Sequence, residues 1–150
     1  MPTLFRARLR ASALLLALFS VLGVLGTASP AEATTYQSRV INEAAHHRGQ
    51  PYVYGAAGPT RFDCSGLTLY VFGRFGKRLP HNASQQYGVV HHVANSRLAP
   101  GDLIFMRNSS GRIYHVGIYA GGGKWWHAPK SGDVVKLAAV YSSNYVVGRI

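Results

Sequence analysis

Of the residues that could carry covalent chemistry, Cys64 stands out, because it is the chain's single cysteine among 150 residues. It follows Asp63 and precedes Ser65-Gly66-Leu67, and Leu67, Tyr70, Val71 and Arg74 recur at helical spacing, which predicts a helix over 64–75. Asp63 suits the capping position before that helix, where a carboxylate accepts orphan N–H bonds. A thiol in the first turn faces the unpaired N–H groups and the positive end of the helix dipole, an arrangement that favours the thiolate. Small Ser65 and Gly66 predict an uncrowded opening turn, accessible to a substrate. Position alone leaves a buried structural cysteine as the competing reading.

A cysteine nucleophile works with a histidine, and the chain has seven. His46 and His47 are adjacent, as are His91 and His92; neighbouring side chains diverge, so both pairs read as solvated surface groups. His81 falls in a loop with no partner apparent. His115 opens the β-forming run 114–119 and shares a face with Gly117 and Tyr119. With a three-residue loop at 120–122, His115 would lie directly opposite His127, Cβ atoms about 4.5–5.5 Å apart. That is the arrangement of a base and the group that orients it. A loop of two or four residues would shift the pairing by one, and two half-buried histidines remain the plainer alternative. One cysteine excludes an internal disulfide and any zinc site built from several thiolates, and a Cys–His scheme calls for no metal and no cofactor.

The elements that must position these groups follow from periodicity. A helix is expected over 37–48, with Val40, Ile41, Ala44 and Ala45 on one stripe and Gly49 as its stop. Residues 50–59 hold two prolines and two glycines and read as an extended loop. A helix near 82–87, capped by Asn82 or Ser84, precedes strands at 103–106, 113–120, 124–128, 134–137 and 145–150. Helices first and antiparallel strands after give an α+β domain.

Ahead of this domain, Arg6, Arg8 and Arg10 precede an apolar run over 13–26 that only Ser20 interrupts, and Ala31-Glu32-Ala33 follows. This is the layout of a secretory signal peptide over 1–33 with cleavage after Ala33; the run is shorter than the roughly 20 residues of a membrane span. The mature domain, 34–150, would carry no stable membrane anchor. The whole chain has 16 Lys and Arg against 5 Asp and Glu, a formal charge of +11. A basic surface concentrates a protein on anionic wall polymers. Export and the lack of a run of five basic residues argue against nucleic acid.

Taken together, Pro51-Tyr52-Val53-Tyr54-Gly55, Asp63-Cys64-Ser65-Gly66-Leu67, Leu79-Pro80, Ser84, Gln85, Pro100-Gly101-Asp102-Leu103, His115-Val116-Gly117-Ile118-Tyr119 and His127-Ala128-Pro129 resemble the NlpC-type cell-wall cysteine peptidases, in family order. They are also similar to actinobacterial Rip-type peptidoglycan endopeptidases. The resemblance implies a papain-like, circularly permuted fold with N-terminal helices packed on an antiparallel β-sheet. It implies Cys64 as nucleophile, His115 as general base and acid, and His127 as the residue orienting His115. Tyr52 matches a tyrosine lining the catalytic pocket, and Asp63, Ser65 and Ser84 match positions that shape the substrate cleft. The implied substrates are stem peptides of peptidoglycan, cut between D-glutamate, through its γ-carboxyl, and a diamino acid. Tyr54 stands where many members have Trp, and His81 where Arg is common, so fine specificity is open. A Cys–His amidase or acyltransferase, or a non-catalytic cationic wall-binding protein, would share most of these features.

Overall fold

A computed structural model describes residues 35–150. The expected signal peptide, 1–33, lies outside the described residues. Three helices come first: α1 (Tyr36–His46), α2 (Cys64–Gly73) and α3 (Ala83–Val89). Six strands follow: β1 (His91–Val93), β2 (Leu103–Arg107), β3 (Ile113–Gly121), β4 (Lys124–His127), β5 (Lys136–Ala139) and β6 (Tyr145–Arg149), with a 3-10 turn at Asn95–Arg97. They form one antiparallel sheet in the order β1-β6-β2-β3-β4-β5. The expected α+β architecture, helices on an antiparallel sheet, is the one found.

Each helix begins on a side-chain cap. The Thr35 hydroxyl accepts from the Ser38 N–H, Asp63 from Gly66, and Asn82 from Gln85. Of the two caps expected for α3, Asn82 is therefore the one used. The helical stripe Val40 and Ala44 of α1 and Leu67, Val71 and Phe72 of α2 are buried with Leu103, Phe105, Val116, Ile118 and Trp126 of the sheet. The alternate residues of β2, Ile104 and Met106, join Trp125 in a smaller cluster backed by Leu98, Ala138, Val140 and Tyr145. Because both faces of β2 are covered, its sequence is an unbroken apolar run, not an alternating one.

Three expectations need correction. The β3–β4 connection is a two-residue turn, Gly122-Gly123, followed by a bulge: Gly121 pairs with Lys124, but beyond Ala120 the partners are Tyr119 with Trp125 and Ile118 with Trp126. Continuing that register puts His127 opposite Gly117, one diagonal step from His115. A two-residue turn alone would have turned His127 to the helix side of the sheet; the extra residue in the bulge restores the face it shares with His115. Second, β1 (His91–Val93) is an edge strand that sequence reading left unassigned; it exists through pairing with Val147–Arg149. Third, His47 is not a solvated group. It is buried, with its ring edge-on to Phe62 and Tyr70 at centroid distances of 4.8 and 5.1 Å. Its neighbour His46 and the pair His91 and His92 are exposed as expected.

Candidate active site

Cys64 is the first residue of α2, at the floor of an open cleft of about 420 Å³. One wall comes from the loops before α2 and α3 and the first turn of α3, with Tyr52, Tyr54, Gly55, Asp63, His81 and Ser84. The other is the start of β3, with Arg112, Ile113 and Tyr114. The thiol is partly buried, and the backbone N–H groups of Val116, Ser65 and Cys64 lie near enough to pull its pKa down. The influence of the Val116 N–H puts the sulfur on the β3 side of α2, near the residue that follows His115.

The thiol does not ionise more readily than usual, contrary to the argument from helix position. Burial pushes its pKa up, the Asp63 carboxylate beside it pushes the same way, and the three N–H groups recover only part of this. The opening turn is not uncrowded either. Ser65 and Gly66 are buried, and the space a Cβ on Gly66 would occupy is taken by the Ala56 carbonyl and Ala57. The cleft opens beside Cys64, not over Gly66.

His115 and His127 sit behind the cleft, 5% and 4% exposed. Nε2 of His115 and Nδ1 of His127 are 2.9 Å apart and share one proton in a hydrogen bond. Trp125 packs against both rings, stacked on His127 at 4.6 Å and edge-on to His115 at 5.3 Å. Gly117 makes this possible: a Cβ there would meet Trp125, the Trp126 carbonyl and His127 Cβ at 3.0 Å or less. Burial, reinforced by His127, pushes His115 down to about 3. Burial and then Lys136 push His127 down to about 4, against the opposing Asp133. At neutral pH the sulfur and both rings are therefore uncharged.

The four cleft residues expected from the sequence, Tyr52, Asp63, Ser65 and Ser84, all line the cavity. Their surroundings differ. Asp63 is buried, and its carboxylate is fully engaged: Oδ1 accepts from the Gly66 N–H at 2.7 Å and bonds His81 Nε2 at 2.8 Å, while Oδ2 accepts from the Gly55 N–H at 2.8 Å. Ser65 is buried too, with its hydroxyl 3.4 Å from Asp63 Oδ1. These two residues hold the helix start in place. Tyr52 lies close enough for the Cys64 charge to raise its pKa, although burial contributes more. Ser84 is exposed on the rim.

Several members of the site gave no usable signal in the sequence. His81 finds its partner in Asp63, which only folding brings near. Gln86, fully buried, donates from Nε2 to the Ser65 and Pro80 carbonyls at 2.9 and 2.8 Å and accepts from the Thr68 hydroxyl at 2.7 Å. It ties α3 to the first turn of α2. Tyr114 and Tyr141 have hydroxyls 3.3 Å apart, and Tyr141 is raised by burial first, then by Tyr114 and Cys64. Among the described residues no group of three His, Cys, Asp or Glu side chains could hold a metal ion.

Comparison with known proteins bears on the family and the fold. Over 95 residues, 63% of this chain and 18% of the relative, the chain is 46% identical to "Probable endopeptidase p60" of Listeria grayi. It is 41% identical to "Gamma-DL-glutamyl hydrolase" of Bacillus subtilis over 107 residues, 69% of this chain and 26% of the relative. The chain thus spans about a fifth to a quarter of these relatives. Among solved structures, the NlpC/p60 domain of the peptidoglycan hydrolase SagA superposes with a TM-score of 0.70 at 33% identity, covering 77% of this chain and all of that one. RipD of Mycobacterium tuberculosis, described as a non-catalytic NlpC/p60 domain protein adapted to peptidoglycan binding, superposes at 0.66 with 27% identity, over 76% of this chain and 96% of that one. The NlpC/P60 family matches residues 49–148, the stretch that carries Cys64, His115 and His127, and the chain belongs to that family.

Proposed function

We propose that the domain is a peptidoglycan hydrolase that cuts stem peptides between D-glutamate, through its γ-carboxyl, and a diamino acid, with Cys64 as nucleophile. The observation that carries this reading is the buried, hydrogen-bonded His115–His127 pair on β3 and β4, together with Cys64 at the start of α2 lining an open cleft whose other wall leads into β3. Relatives described as an endopeptidase and a γ-DL-glutamyl hydrolase support the reaction type. Residues 1–33 would direct export, and the basic domain would then associate with the wall and its anionic polymers.

The chemistry starts from a neutral pair. The His115–His127 bond occupies Nε2 of His115, which leaves Nδ1 as the ring atom that takes the thiol proton while the sulfur attacks the amide carbonyl. His127 then accepts from the Nε2–H of the imidazolium and steadies its charge, the role of a third triad member. Backbone N–H of Cys64 and the Tyr52 hydroxyl would meet the oxyanion. His115 passes its proton to the leaving amine, and water, activated by the same ring, releases the acyl group from sulfur. No step needs a metal or cofactor.

Incubating the 34–150 domain with defined muropeptides and identifying the fragments by mass spectrometry tests the proposal. It predicts a fragment with a new free amine on the diamino acid and a free γ-carboxyl on glutamate, and no such fragment from Cys64→Ala. Cleavage at an amide outside the stem peptide would favour an amidase, and a transferred acyl group a transferase. Wall binding without any cleavage would place the chain beside RipD.

A further inference from the structure

The ionisable side chains lining the cleft, apart from tyrosines and the thiol, are Asp63, His81 and Arg112. Asp63 is consumed by the Gly66, Gly55 and His81 bonds, and His81 is paired with it. Arg112 is different. Among the described residues it enters no ion pair, and its guanidinium makes no hydrogen bond. The other described acids are committed elsewhere: Glu43 to Arg74 and His47, Asp102 to Arg149, Asp133 to Lys136. The backbone carrying Arg112 is pinned, since its N–H donates to Asn108 Oδ1 at 2.9 Å and its carbonyl accepts from the Asn108 N–H at 2.9 Å. Asn144 in turn donates to the Arg107 and Asn108 carbonyls at 3.1 and 3.2 Å. A fixed turn thus presents an unpaired guanidinium to the cleft, three residues before His115.

We propose that Arg112 is a specificity-determining residue that binds a free carboxylate of the stem peptide, so that the site sorts the acid from its amide. The inference rests on the proposed substrate class. A glutamate linked through its γ-carboxyl keeps its α-carboxyl free near the scissile bond, and a diamino acid can carry a second one on its side chain. A guanidinium offers two parallel N–H bonds to a carboxylate, but only a poor partner to a carboxamide, whose NH2 group it repels. The exposure of Arg112 limits the gain to about a factor of five.

The test uses two pairs of synthetic stem peptides, each pair differing only by carboxylate against carboxamide, at the glutamate α-carboxyl or at the diamino acid side chain. kcat/KM is measured for wild type, Arg112→Gln and Arg112→Lys. One pair should show an acid preference of up to about fivefold, carried by KM, that falls to about one in Arg112→Gln and is partly kept in Arg112→Lys. No preference in either pair, or a preference that survives Arg112→Gln, overturns the assignment. Calorimetric binding of the same peptides to Cys64→Ala and to Cys64→Ala/Arg112→Gln separates this from failure of the hydrolase reading. If wild type cuts nothing while acid-selective binding disappears with Arg112, the hydrolase falls and the carboxylate site stands. If neither cleavage nor binding distinguishes acid from amide, the carboxylate site falls.

Discussion

Replacing Gly117 by alanine puts a single methyl group where the arrangement behind Cys64 has no room for one. The new Cβ would stand 2.6 Å from Trp125 Cε3, 2.8 Å from the Trp126 carbonyl oxygen and 3.0 Å from His127 Cβ. Ordinary carbon contacts are about 3.5–4.0 Å, so the overlap with the indole is close to an ångström. Trp125 is fully buried and cannot swing away, and one of the three clashes is with backbone. Relief must come from moving β4 away from β3, which carries His127 with it. A displacement of that size stretches the 2.9 Å His115–His127 bond past its useful range. Overpacking of this kind costs about 1–3 kcal/mol, and at about 2 kcal/mol the melting temperature of a domain this size falls by roughly 10 °C. Catalysis should suffer through orientation: kcat falls by about ten- to a hundredfold, with KM far less affected because Gly117 does not line the cleft. Gly73→Ala in α2 is the matched control, since nothing lies within 4 Å of its Cβ position and alanine favours a helix. Thermal melts and steady-state kinetics on the two variants decide the matter. A Gly117→Ala protein with wild-type melting temperature and kcat would refute the packing argument.

Other consequences follow from charge and capping. His115 and His127 are held well below the ordinary histidine value, so the unfolded chain binds more protons than the folded one as pH falls from about 6.5 toward 4. Stability contributed by keeping these rings neutral is therefore present above about pH 6.5 and lost on acidification; melting temperature should drop across that window, and His127→Asn should drop less steeply. Removing the Asp63 charge while keeping an acceptor, as Asp63→Asn, should lower the Cys64 pKa, because Asp63 raises it. The midpoint of iodoacetamide reactivity against pH should move down, and an unmoved midpoint would contradict the electrostatic reading. Gln86→Leu leaves the Pro80 carbonyl without its partner, while the Thr68 hydroxyl keeps its 2.9 Å bond to the Ser65 carbonyl. A loss of about 1–3 kcal/mol for that one orphaned acceptor is expected in chemical denaturation.

The parts of the site set by local rules could be read from the sequence. Asp63 followed by a small-residue turn and a helical stripe identified both the cap and the cysteine at the helix start, because capping is decided within four residues. The shared face of His115 and His127 was also legible, but the reason was not. It depends on a two-residue turn and a bulge at Ala120 acting together, and either alone would have set the rings on opposite faces. His47 was misread because its burial comes from Phe62 and Tyr70, residues supplied by a loop and by α2 and not by its own helix. β1 lacked a signal of its own, being three residues long and held by β6. The thiol was misjudged because the helix start supplies a favourable local field, while the opposing burial exists only once β3 has packed against α2.

Cys64 is the only thiol in the chain, so alkylation can be followed as one adduct on the intact protein. Peptide-cleaving activity measured against the labelled fraction tests whether this sulfur performs the reaction. Activity should fall in direct proportion to labelling and reach zero when every molecule carries one adduct. A fully labelled protein that still cuts stem peptides at the unmodified rate would contradict the account.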